Sequence, residues 1–166
     1  MAIDEDLLRI ALQEETLVLP LFDHEVAWRI GVRLREMAVA RGFGLVIDVR
    51  RFGEQMFYCA LAGTTPNNAD WARRKGNVVA HFHRSSYAMG LELEQKQTSL
   101  EERYALPFRE YAAHGGGFPI RVANVGAVGS ITVSGLPQRT DHEFVVEALC
   151  LETGNSYDSL RLARED

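Results

Sequence analysis

His114-Gly-Gly-Gly-Phe-Pro-Ile-Arg-Val-Ala-Asn-Val-Gly-Ala-Val-Gly-Ser-Ile-Thr-Val-Ser-Gly135 is the stretch that decides the fold. Its two apolar runs, 118–123 and 127–134, flank Asn124-Val125-Gly126, the composition of a tight turn, and together they predict a β-hairpin. Along the second run Ala127, Gly129, Ile131 and Val133 alternate with Val128, Ser130, Thr132 and Ser134. A strand of period two therefore carries one apolar face and one face of hydroxyls. Three successive glycines, Gly115, Gly116 and Gly117, let the backbone enter positive φ and approach other groups closely. What packs against that bend is a ligand, a neighbouring subunit or the rest of the fold.

The same signals extend in both directions from this hairpin. Upstream, Phe43, Leu45, Ile47 and Val49 alternate with Gly44, Val46, Asp48 and Arg50, and a turn over 51–54 leads into a returning strand over 55–61. Before it, Asp23 caps a helix with apolar positions Val26, Ala27, Ile30, Leu34, Met37 and Ala38, which Gly42 ends. A shorter amphipathic helix opens the chain from Asp4, with Leu7, Leu8, Ala11 and Leu12 as its apolar face. Thr65-Pro66 starts the longest predicted helix, over 66–89. Lys75 falls on its apolar stripe, where its stem is expected to lie along apolar surface with the ammonium in water. Short helical pieces are expected after Ser99 and over 107–113, and Thr140-Asp-His-Glu143 reads as the capping box of a last helix. The result is a single α+β domain over 1–153, followed by a loose polar tail over 154–166.

The chain has 166 residues, 46% of them hydrophobic and 25% charged, with a net charge of −5. Acidic balance argues against nucleic acid as a partner, since phosphate neutralisation requires clustered positive charge. No apolar run approaches the ~20 residues of a membrane span, and the acidic start is unlike a signal peptide. A cytoplasmic location is the expectation, with Cys59 and Cys150 reduced inside apolar segments. Sequence signatures of phosphate-binding loops, dinucleotide folds, nucleophile elbows and zinc sites are missing.

Gly-Gly-Phe-Pro-Ile over 116–120, Gly-Ala-Val-Gly over 126–129 and Val-Ser-Gly over 133–135 resemble the HbpS/GlcG-like proteins, the haem-degrading domain family. Phe22-Asp23, Asn68-Ala-Asp-Trp-Ala-Arg-Arg-Lys75 and His114-Gly-Gly resemble one branch of it. The resemblance covers most of residues 5–153. It implies a profilin-like antiparallel sheet flanked by helices, assembly into homo-oligomers, and haem as a candidate ligand.

Of five histidines, His81 and His83 lie two apart on a predicted helix and cannot chelate jointly. His24 and His142 read as surface residues in first helical turns. His114, beside the glycines, is a candidate ligand or hydrogen-bond partner in a pocket. The candidate ligand-binding set is Asn68, Trp71, Arg74 and Lys75 on the long helix, His114, Gly115, Gly116 and Gly117 at the bend, and Ser130 and Thr132 on the hydroxyl face. Cations beside a helix N-terminus favour a small anion, a haem propionate included. The competing reading makes Trp71 the anchor of a subunit interface. Three functions stay open: a small-ligand-binding protein, a haem-degrading enzyme, and an oligomeric scaffold that presents a protein-binding surface.

Overall fold

The computed structural model describes residues 2–165. In chain order its elements are α1 (Ala2–Thr16), β1 (Val18–Leu19), α2 (His24–Arg41), β2 (Val46–Arg51), β3 (Glu54–Ala60), α3 (Pro66–Phe82), α4 (Ser86–Gln95), α5 (Leu100–Tyr104), β4 (Gly117–Val122), β5 (Gly126–Ser134), α6 (Gln138–Thr153) and α7 (Tyr157–Leu160). The five strands form one sheet in the order β1-β4-β5-β2-β3. Both expected hairpins form, and β2 and β5 pair antiparallel at the centre. Two-residue β1 adds parallel to β4, so the sheet is mixed rather than wholly antiparallel.

Register separates the two faces of the sheet. Ile47 opposes Val133 and Val49 opposes Ile131, which puts the apolar side chains of β2 and β5 on one face. That face packs under α2 and α6 in the main core, with Leu34, Phe118, Val145 and Leu149. Asp48 opposes Thr132 and Arg50 opposes Ser130 on the other face. Helix α3 crosses it, and Gly76 permits the approach: a β-carbon there would lie 3.5 Å from Thr132 Oγ1. The hydroxyl face is thus buried beneath a helix, with Ser130, Thr132 and Ser134 each at most 4% exposed.

The expected helix over 66–89 is two helices. His83 adopts φ 57°, the left-handed cap of α3, and Ser85 Oγ accepts the Ala88 N–H to start α4 in a new direction. No helix forms over 107–113, where turns lead into the glycine bend. Helix α6 begins at Gln138, ahead of the expected capping box, because Asp141 points back at the turn before the helix. Helix α1 buries Ile10, Gln13 and Glu14 and leaves Leu8 75% exposed, so its inward face differs from the expected Leu7, Leu8, Ala11 and Leu12 stripe. The segment after Gly154 is packed rather than loose: it carries α7 and buries Leu160 and Leu162. Among the described residues no helix is long and apolar enough to cross a membrane.

Candidate ligand-binding site

The glycine bend is filled from inside the fold. Gly115, Gly116 and Gly117 are all buried. Gly115 N–H donates to Gln138 Oε1 at 3.2 Å and Gly117 N–H to Ser86 Oγ at 2.9 Å. Gly116 has φ 137°, and a β-carbon there would lie 2.4 Å from the Val133 carbonyl oxygen and 2.9 Å from Lys75 Nζ. Of the three occupants considered for the bend, the rest of the fold takes this place.

Lys75 is the group that presses on it. Its ammonium is not in water: the residue is 4% exposed and donates to Asp141 Oδ2 at 3.0 Å and to the Val133 carbonyl at 3.2 Å. Asp141, 1% exposed, also accepts the N–H groups of Gly135 and Leu136. An oppositely charged partner on α6 is what allows a lysine onto the buried stripe of α3. Burial pulls the Lys75 pKa down and pushes the Asp141 pKa up, while their mutual attraction opposes both shifts. Burial is the larger influence, since both side chains have lost nearly all contact with solvent.

His114 stands next to this pair. Its ring meets Trp71 edge-on at 5.1 Å between centroids and Phe108 at 6.3 Å. Arg74 stacks over Trp71 and Phe108, 4.4 Å from each centroid, and donates to the Phe108 carbonyl oxygen. His114 Nδ1 is buried without a hydrogen-bond partner. Burial, and then the charges of Lys75 and Arg74, lower the His114 pKa, so the ring is neutral at pH 7 and keeps one nitrogen lone pair.

Two recesses meet at this imidazole. One, of about 280 Å³, is polar and includes Asn68, Trp71, Lys75, Ser134, Gln138 and Asp141 besides His114. The other, of about 470 Å³, is an apolar groove made mainly by α4 and α5, with Leu91, Leu93, Leu100, Leu106, Phe108 and Tyr111 in its walls. Of the residues singled out from sequence, Asn68, Trp71, Lys75 and His114 therefore share the polar recess. Arg74 is occupied by its stacking and by Phe108, and Ser130 and Thr132 lie under Gly76, where they border neither recess.

Residues 22–150 match the family described as haem degrading protein HbpS-like. The chain belongs to this HbpS-like family. The matched span contains the glycine bend, Lys75, His114 and Asp141. A UPF0303 protein of Burkholderia thailandensis is 58% identical to this HbpS-like chain over 164 residues, 99% of each. The crystal structure of Ybr137w protein superimposes with a TM-score of 0.83 at 26% identity, over 93% of this chain and 90% of that one. A crystal structure of a PduOC:heme complex shares the fold at 14% identity, with a TM-score of 0.67 over 80% and 94% of the two chains.

Sequence reasoning overlooked Gln138 and the whole groove between α4 and α5. The groove has no local signature, because its walls come from three short segments and Gln138 of α6, and their packing depends on the break at His83. His142 was expected at the surface and is 1% exposed, its Nε2 2.8 Å from Gln13 Oε1. The hydrogen bond from α1 is what permits its burial, and residues 129 positions apart in sequence give no local sign of one another.

Proposed function

We propose that this protein binds a small, flat, largely apolar ligand with an anionic edge, haem being the leading candidate, in the groove that ends at His114. The observation that carries the reading is the neutral imidazole of His114 in the wall of a 470 Å³ apolar groove. Ligand pockets of this kind combine apolar walls with a few placed polar groups. A haem bound there would supply an iron centre for a histidine to ligate. His114 fits that part, and the leucines, Phe108 and Tyr111 fit a macrocycle. Glu94 and Glu101 on the groove repel carboxylates, which favours placing the anionic edge at the end nearer Arg74. Support also comes from the family match and from the haem named with a protein of the same fold.

Titrating haem into the purified protein is expected to shift and sharpen the Soret band, and His114→Ala to weaken binding at least about tenfold, the equivalent of ~1.4 kcal/mol. An unshifted band, or equal affinity in the variant, overturns the reading. Loss of the band under a reductant with release of iron would make the protein a haem-degrading enzyme as well.

We further propose that the chain forms a homo-oligomer through the β3 edge. Strand β3 pairs with β2 alone, and Trp28 beside it is 61% exposed while packing edge-on against Phe57. A second copy added antiparallel satisfies the free backbone groups of that edge and covers the indole. Trp28→Glu is expected to lower the mass measured by light scattering to that of a smaller species; an unchanged mass rejects this face. The free thiols of Cys59 and Cys150 suit a reducing compartment, and we place the protein in the cytoplasm.

A further inference from the structure

We propose that Lys75 is a nucleophilic amine that condenses with the carbonyl carbon of a small aldehyde or ketone held in the polar recess. The recess brings together what that chemistry requires: an amine, a carboxylate 3.0 Å away, an aromatic wall at Trp71 and amide groups of Asn68 and Gln138. Two of the three ammonium N–H bonds point to Asp141 and the Val133 carbonyl. The pair is neutral as a unit, so an uncharged carbonyl compound meets no repulsion there, whereas an anion meets Asp141.

The choice of lysine carries the argument further. Lys75 and Lys96 are the chain's two lysines, and Arg serves in most of its other ion pairs, including those of Glu14, Asp48, Glu147 and Glu152. Arginine never gives up its proton in a protein, but a buried lysine does so readily. The position that is nearly closed to solvent and faces a recess thus holds a lysine, a cation able to become a nucleophile, where most other ion pairs use arginine. Burial lowers the Lys75 pKa and raises that of Asp141, which eases transfer of a proton between them.

The step balances as follows. The ammonium passes a proton to the Asp141 carboxylate, and the free amine adds its electron pair to the carbonyl carbon. The proton left on nitrogen moves to the former carbonyl oxygen, giving a carbinolamine. Asp141 then protonates that hydroxyl, water departs, and an iminium faces a restored carboxylate. Net consumption is one carbonyl compound and net release one water, with no oxidant or reductant.

The test uses the full native chain, benzaldehyde and sodium cyanoborohydride at pH 7, with peptide mass mapping of benzyl adducts. Labelling at Lys75 is expected to outpace that at exposed Lys96 by about tenfold or more, since each unit by which an amine's pKa is lowered frees about tenfold more of it near neutral pH. In urea the preference should vanish, and Lys75→Arg should lose the adduct while Lys96 labels as before. Native labelling confined to Lys96 and the amino terminus overturns the proposal, and it does so without reference to haem, whose binding is read from the Soret band.

Discussion

Replacing Gly116 by alanine is expected to lower stability by about 4 kcal/mol and the melting temperature by about 8–16 °C. Two separate penalties add here. At φ 137° any β-carbon is strained, and this one would lie 2.4 Å from the Val133 carbonyl, a backbone atom fixed in the central sheet by its own strand. Lys75 Nζ, at 2.9 Å, is the tip of a side chain, yet its bonds to Asp141 and Val133 hold it in place. Relief by moving Lys75 would separate a buried ion pair, which is itself costly. Gly126→Ala is the comparison: φ is 106° there, and nothing lies within 4 Å of the added carbon. Strain alone predicts a loss of about 1 kcal/mol at that turn. Thermal melts of the two variants that coincide would show that the bend is not a close-packed wedge.

The contrast between these glycines explains how much could be read in advance. Gly42, with φ 69° at the end of α2, and Gly126 in the second hairpin act through local backbone geometry, so their neighbours in sequence reveal them. Both hairpins and α2 were legible for the same reason: a period of two or of 3.6 is written along a short stretch. At Gly116 the residues that matter, Lys75 and Val133, come from α3 and β5. Amphipathic spacing placed Lys75 on the inward stripe, and the expectation of a solvated ammonium failed because Asp141 arrives from 66 residues away. The break at His83 had a local sign, the serine pair Ser85-Ser86, but apolar spacing on both sides masked it. Trp71, Asn68, Lys75 and His114 did come together in one recess, while the larger groove beside them depends on that break.

His142 should make the protein sensitive to acid. Its Nε2–H donates to Gln13 Oε1 at 2.8 Å, and the Gln13 amide in turn donates to the Leu160 carbonyl oxygen at 2.9 Å, so one chain of bonds ties α1, α6 and α7. In that arrangement Nδ1 is the bare nitrogen, buried without a partner between Tyr87 and Phe118. Protonation would put a charge and an unpaired N–H into the core, and the guanidinium of Arg139 adds repulsion. Burial first, and Arg139 second, bring the pKa from 6.5 down to about 3. Between those values the unfolded chain binds a proton that the folded chain refuses. The stability this residue contributes is complete above pH 6.5 and is lost as pH falls toward 3, at up to about 1.4 kcal/mol per unit and about 4–5 kcal/mol over the whole window. Glu14, Asp141 and Glu143, whose carboxyl pKa values are raised by burial, act in the opposite sense because the fold takes up their protons first. Comparison with His142→Gln separates the two contributions, since glutamine can bond to Gln13 and does not titrate. Urea unfolding across the acid range should give a steeper loss for the native sequence than for the variant, whatever their difference at pH 7. Parallel curves would mean that His142 takes up its proton without leaving the core, and that the bond to Gln13 does not fix its tautomer.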